Sequence, residues 1–296
     1  MYIRKRLGKY YVEIKRHGHK NIYKTFKQKS DAMKWGRSVE IQLDQSRYKD
    51  TSNASKTTLK SVMERHLKER LRVVREPKKE QSRYNVIIKN DIVKRYLTNL
   101  TPLIFSRYRD ERLDEGLSPS TVCRELSFMS ISIKKAIRFY SCWLPEHPIP
   151  NDIKPKERAP RNRRLEDGEF DKLMEHCKTK RNSYWCSMIE FAIQTAMRLN
   201  EQLTLRWDQV DLKNMLITIL AEHSKTGIER KIPLTPRAIE ILHQLPRHIN
   251  GRVFPVSLNN FQRAWRSITR NAKINNLHWH DLRREACSRL MESGLS

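Results

Sequence analysis

The stretch from Pro148 to Arg164 constrains this chain more than any other. Pro148-Ile149-Pro150-Asn151 is followed by Lys154, Lys156, Arg158, Arg161, Arg163 and Arg164. Two prolines and a dense basic run without an apolar period do not continue a helix or a strand. Residues 149–164 therefore read as a linker, and the chain must fold as separate bodies on either side. Its cations leave two readings open, a solvated tether or a strap lying on phosphates. The rest of the chain favours the strap. Lys plus Arg number 60 against 33 Asp plus Glu in 296 residues, a net charge of +27. Residues 1–50, 51–150 and 151–296 each contribute +9, so the excess is not a tail. An evenly basic multidomain chain suits a polyanion touched by every part, most economically a nucleic acid. No apolar run approaches the ~20 residues of a membrane span. The basic N-terminus lacks the apolar core of a signal peptide, which leaves the soluble, cytoplasmic side as the default.

The segments flanking the linker differ in pattern. In residues 1–50, Tyr10, Val12 and Ile14 alternate onto one face, and Ile22, Lys24 and Phe26 continue a second strand after a His17-Gly18-His19 turn. Ser30 and Asp31 offer N-cap chemistry for a helix with the stripe Ala32, Trp35, Val39 and Leu43. Thr51-Ser52-Asn53-Ala54-Ser55 reads as a linker. Residues 57–148 look all-helical: Leu59, Val62, Met63, His66 and Leu67 form one stripe, and Ser118-Pro119 opens another through Val122, Leu126, Met129, Ile133 and Ala136. Residues 165–296 alternate helix and strand. Helices are expected at 167–178, 184–196, 236–244, 257–273 and 281–293, with Gly294 just past the last. A hairpin runs through Leu216, Thr218 and Leu220, turns at Lys225-Thr226-Gly227 and returns through Lys231-Ile232-Pro233-Leu234. The fold class is thus mainly α with small β-sheets. Five cysteines, odd in number and without CxxC spacing, suggest neither a zinc site nor a disulfide framework. His176 and Cys177 read as a helix-surface pair.

Three pieces of the last segment carry chemistry. They are Thr195-Ala196-Met197-Arg198-Leu199-Asn200-Glu201, Ser224-Lys225-Thr226-Gly227, and His278-Trp279-His280-Asp281-Leu282-Arg283-Arg284. An Arg between helices, a hairpin Lys, and a His with an Arg at a helix start would build a cationic pocket. Such a pocket suits a pentacoordinate phosphorane, whose charge develops on nonbridging oxygens that Arg forks grip bidentately. A His and a Lys supply proton transfer.

With these pieces the chain resembles the tyrosine recombinases, or phage integrases, over nearly its whole length, and shufflon-type relatives in particular through His280-Asp281-Leu282-Arg283-Arg284-Glu285-Ala286. Leu117 through Ala136, Leu165…Glu169 and Phe261…Trp265 fit the same family. The resemblance implies a sheet-plus-helix arm-binding-like module (1–50), a helical core-type DNA-binding domain (57–148), the basic linker (149–164) and a mixed α+β catalytic domain (165–296). Arg198 and Arg283 resemble the two phosphate-clamping arginines, and Glu201 the acidic residue that holds the pocket. Lys225 resembles the hairpin general acid for the 5′-hydroxyl, and His280 the histidine assisting proton transfer. His278, the other histidine of this piece, reads as a packing or capping residue. The implied partners are double-stranded DNA, further copies of the chain as a tetramer on paired sites, and accessory DNA-bending proteins, with neither metal nor nucleotide cofactor. The implied setting is bacterial or phage-encoded, at the nucleoid.

One departure bears on the activity. The family carries a nucleophilic Tyr beyond the His–Arg box, whereas the one tyrosine after residue 165 is Tyr184, ahead of Arg198. The expectation is a chain truncated before its nucleophile and unable, as given, to form a 3′-phosphotyrosyl intermediate. A noncatalytic DNA-binding remnant or regulator that occupies recombination sites is the alternative. A metal-dependent nuclease would need a carboxylate cluster with no obvious counterpart here.

Overall fold

A computed structural model describes every residue except 18, 46, 47, 158, 179–183, 225, 226, 295 and 296. The chain divides into two bodies, Met1–Ala159 and Pro160–Ser296, so the break falls inside the basic stretch. Ile149 and Ile153 are buried in a core of the first body, which takes the start of that stretch out of any free tether.

The first body opens with an antiparallel sheet of β1 (Tyr2–Arg6), β2 (Lys9–Ile14) and β3 (Ile22–Phe26). β1 adds to the two strands expected. Leu7 and Gly8 both have positive φ, 50° and 71°, the two-residue turn whose twist matches its flanking strands, and it pairs Arg6 with Lys9. Val12 and Ile14 meet Ala32, Val39 and Leu43 of helix α1 (Lys29–Asp44) in a small core. The N-cap of α1 is Gln28, so Ser30 and Asp31 fall inside its first turn rather than capping it.

Thr51–Ser55, expected as a linker, instead supplies most of α2 (Ser52–Lys56). Asp50 accepts hydrogen bonds from the Ser52 backbone N–H at 2.8 Å and its hydroxyl at 2.7 Å, and Ala54 is fully buried. Helices α3 (Leu59–Leu71), α4 (Pro77–Ile87), α5 (Pro102–Asp114) and α6 (Pro119–Phe139) complete the helical domain. The expected stripe of α3 packs against Val122, Leu126, Met129, Ile133 and Ala136 of α6. Two buried polar contacts fix register. His66 Nδ1 lies 2.8 Å from Ser132 Oγ. Glu125 accepts from the Tyr108 hydroxyl at 2.7 Å and from Arg112 at 3.0 and 2.9 Å.

The second body holds α7 (Glu169–Lys178), α8 (Tyr184–Thr195) and α9 (Leu199–Thr204), then a sheet of β4 (Val210–Asp211), β5 (Leu216–Ile219) and β6 (Arg230–Pro233). Helices α10 (Pro236–Gln244), α11 (Leu258–Asn271) and α12 (Trp279–Glu292) follow. In β5 the buried pair is Ile217 and Ile219, whereas Leu216 and Thr218 are half-buried and Leu220 lies past the strand. Apolar residues occupy both faces of this segment, so alternation alone does not choose the inner one. Cys177 is buried, not on the helix surface. α8 runs through the core, against α7, α10 and α12. Trp279 meets Phe261 and Trp265 edge-on, at centroid distances of 4.8 and 5.0 Å, which anchors the first turn of α12 on α11. The architecture is mainly helical with two small antiparallel sheets.

Candidate active site

α8 ends where Ala196 turns to φ 51°, a left-handed backbone that costs an L-residue about 1 kcal/mol. The reversal buries Met197 and makes Arg198 the N-cap of α9. Glu201, one turn on, accepts from the Arg198 backbone N–H at 2.9 Å and from Arg198 Nη1 at 3.0 Å. Its carboxylate is 2% exposed and also accepts from Arg230 Nη2 at 2.6 Å. Burial opposes ionisation of Glu201, but the hydrogen bonds from Arg230 and Arg198 prevail and hold its carboxyl below the ordinary range. Gln202, fully buried, donates to the Met188 carbonyl at 2.8 Å and fastens α9 to α8.

Arg283 reaches in from α12 and donates to the Ala196 carbonyl, so the strained residue that ends α8 is gripped by one arginine and followed by the other. Desolvation and the Arg198 cation push Arg283 below its ordinary value. Desolvation, then the cations of Arg284, Arg283 and Arg198, also lower His280, against the opposing charge of Asp281. These causes favour the neutral imidazole. His278 caps α12, its backbone N–H donating to Asp281 at 2.8 Å. Beside these residues lies a cavity of about 370 Å³, lined by His280, Arg283, Arg284, Cys287 and Ser288 with Asn162 and Arg164.

The structure thus brings Arg198, Glu201, His280 and Arg283 to one place. Lys225 lies outside the described residues, as does Arg158. Arg230 joins the group unannounced: it opens β6, and only the buried second oxygen of Glu201 reveals that another cation is required.

The basic stretch differs from the expected free cluster. Arg161 grips Asp281, Arg163 grips Glu169, and Arg164 grips Glu285 and Glu292. These three guanidiniums neutralise carboxylates of their own body, because the acids stand on α7 and α12 where the incoming segment passes. Lys156 is exposed and Lys154 half-buried.

A second basic surface was not singled out by sequence reasoning. Asn259, Gln262, Arg263, Arg266 and Arg270 share the exposed face of α11, opposite the buried Phe261, Trp265 and Ile268. Among the described residues, those three arginines have no ion-pair partner. The 3.6-residue period from Phe261 marks this face in the sequence.

Residues 163–296 match the family model described as "Phage integrase family". A putative integrase/recombinase of Haemophilus influenzae is 30% identical over 275 residues, covering 88% of this chain and 73% of that protein.

The chain belongs to the phage integrase family.

The shufflon-specific DNA recombinase of Escherichia coli is 34% identical over 220 residues, 72% of this chain. The match spans 56% of that relative's own length. Among solved integrases, a lambda integrase dimer bound to a COC′ core site superposes with a TM-score of 0.63 at 19% identity, covering 99% of this chain and 88% of that one. The Tn1549 transposon integrase in complex with a circular intermediate DNA gives 0.68 at 14% identity, covering 81% and 88%. At those identities the likeness is one of integrase fold.

Proposed function

We propose that this chain is a site-specific DNA recombinase of the integrase type, whose pocket grips the scissile phosphate of duplex DNA. The observation that carries the reading is the meeting of Arg198 and Arg230 on buried Glu201, with Arg283 on the Ala196 carbonyl and His280 beside them. Glu201 cancels part of this charge and orients two of the forks, leaving a net cation for nonbridging oxygens. Negative charge grows on those oxygens in the transition state, where fixed cations lower the barrier most. Arg198 and Arg283 act as the clamp, His280 accepts and returns a proton, and Lys225 protonates the leaving 5′-oxygen to give the free hydroxyl. Attack by a tyrosine would conserve the cleaved bond as a 3′-phosphotyrosyl link, without metal or nucleotide. Residues 166–296 contain a single tyrosine, Tyr184, ahead of Arg198. A second reading is a noncatalytic protein that occupies recombination sites.

Arg, Asn and Gln on the open face of α11 are the side chains that read base edges in a major groove. Lys154, Lys156 and Arg158 contribute phosphate contacts. Lambda integrase has been solved as a tetramer bound to a Holliday junction, and by that likeness the chain self-associates on paired sites, with accessory DNA-bending proteins. It acts in the cytoplasm, at the nucleoid.

The test starts from duplexes selected out of a random pool, then neutralises single phosphates as methylphosphonates across the selected site. One position should lower affinity about ten- to a hundredfold for the native chain and have no effect for Arg198→Ala or Arg283→Ala. These 296 residues should form no covalent adduct on nicked substrates. A scan in which no phosphate depends on either arginine sinks the proposal, and a trapped adduct removes the noncatalytic reading.

A further inference from the structure

The segment entering the second body is fastened to the helix that carries His280 and Arg283. Arg161 donates Nε to both Asp281 oxygens at 3.1 Å and Nη2 to one of them at 2.8 Å. The same guanidinium donates Nη1 to Asn276 Oδ1 at 2.8 Å and Nη2 to the Asn276 carbonyl. Asn276 has φ 55°, so Arg161 pins the strained turn before α12 together with its first turn. Arg164 donates Nε to Glu285 at 3.0 Å and also pairs with Glu292. Asp281 is completely buried and Glu285 nearly so.

The geometry of α12 gives these contacts a meaning. At 100° per residue, Asp281, Glu285 and Glu292 lie within about 40° of one another, while His280 and Arg283 fall about 200–260° round the helix. The carboxylates form one stripe, with Arg283 roughly opposite it and His280 about 100° from Asp281. Holding the stripe therefore sets the rotation of α12 about its axis, and with it the aim of His280 and Arg283. The charge arrangement acts in the same sense. Asp281 is next in sequence to His280, and its charge is taken up by Arg161 and by Arg284 at 2.9 Å. Without Arg161, more of that negative charge would act through space on the neighbouring imidazole.

We infer that Arg161 and Arg164 are positioning residues, a two-point clip that fixes the rotation of α12 and neutralises Asp281 beside His280. The inference rests on the proposed phosphate site and names what aligns it. Arg163 serves as a comparison, because it hydrogen-bonds Glu169 on α7 rather than any residue of α12 and feels Asp281 only through space.

The test compares Arg161→Gln, Arg161→Lys and Arg163→Gln in the whole chain. The charges facing His280 are Arg284, Arg283, Arg198 and Asp281, and its titration is followed by NMR without DNA. Arg161→Gln should raise the His280 midpoint by roughly half a pH unit or more, with Arg161→Lys in between. Arg163→Gln should lower thermal stability and move the midpoint clearly less than Arg161→Gln does. On DNA, Arg161→Gln should weaken discrimination between phosphate and methylphosphonate at the selected position about tenfold, and Arg163→Gln should not. A His280 titration that Arg161→Gln leaves unchanged, or that Arg163→Gln moves equally, overturns the clip. If the native chain itself shows no such discrimination, the proposed function fails, while the titration still decides the clip.

Discussion

His66 occupies a place in the stripe of α3 that an apolar residue would fill by pattern, and the structure makes it a core residue. It is 2% exposed, stacks on Phe128 at 4.9 Å and shares a hydrogen bond with Ser132. Desolvation, then the cations of Lys135 and Arg70, lower its pKa from 6.5 to about 4. Between those values the unfolded chain binds a proton that the folded chain refuses. The stabilisation is therefore complete above about pH 6.5 and lost on acidification toward pH 4, on the order of 3 kcal/mol. Urea titrations of the helical domain at pH 7 and pH 4.5 should show His66→Gln less acid-sensitive than the native chain. Equal sensitivity would place the acid loss in other groups. Residues of this kind also show the limit of reading chemistry from order alone. Arg198, Glu201, His280 and Arg283 are legible because each sits in a short piece whose neighbours carry related chemistry. Arg230 is not, since its role depends on which oxygen of Glu201 it meets across 29 positions.

Elements were legible where local chemistry sets them. Ser118 and Pro119 announce α6: the serine hydroxyl accepts from the Thr121 backbone N–H at 3.3 Å, and the proline takes the first helical position. Replacing that cap should destabilise the helical domain by about 1 kcal/mol. Ser118→Ala, measured by chemical denaturation, should show that loss, and Ser118→Asp should recover most of it. A neutral Ser118→Ala would mean that packing against α3 alone sets where α6 begins. Gly294, with φ 82° just past α12, stops that helix in the same legible way. β1 and α2 escaped notice for opposite reasons. β1 is an edge strand with charge on most of its positions, so it lacks a clear period of two. α2 looks like a linker because Ser, Asn and Thr favour loops, until Asp50 accepts from Ser52 and Ala54 is covered. The inner face of β5 required tertiary context, since both of its faces are apolar enough to bury.

For the whole molecule, the charge of +27 resolves into cations with different duties. Arg161, Arg163 and Arg164 hold carboxylates within their own body, and Arg198 and Arg230 share Glu201. Neutralising any of these should change stability or geometry along with affinity. Lys154 and Lys156 have no comparable acid partner among the described residues, so the proposed phosphate contacts of the basic stretch fall to them. The sequence pattern could not separate the two groups, because the partner acids lie up to 128 positions away. Counterion release separates them in solution. Each phosphate contact contributes about 0.9 to the slope of log affinity against log salt on duplex DNA. The double variant Lys154→Gln/Lys156→Gln should therefore flatten that slope by about 2, equally on selected and random duplexes, with thermal stability unchanged. Arg163→Gln should do the reverse, lowering stability and leaving the slope nearly as it was. A lysine variant with the native slope would show that these two side chains do not lie on phosphates, and the α11 face would then be the next surface to neutralise.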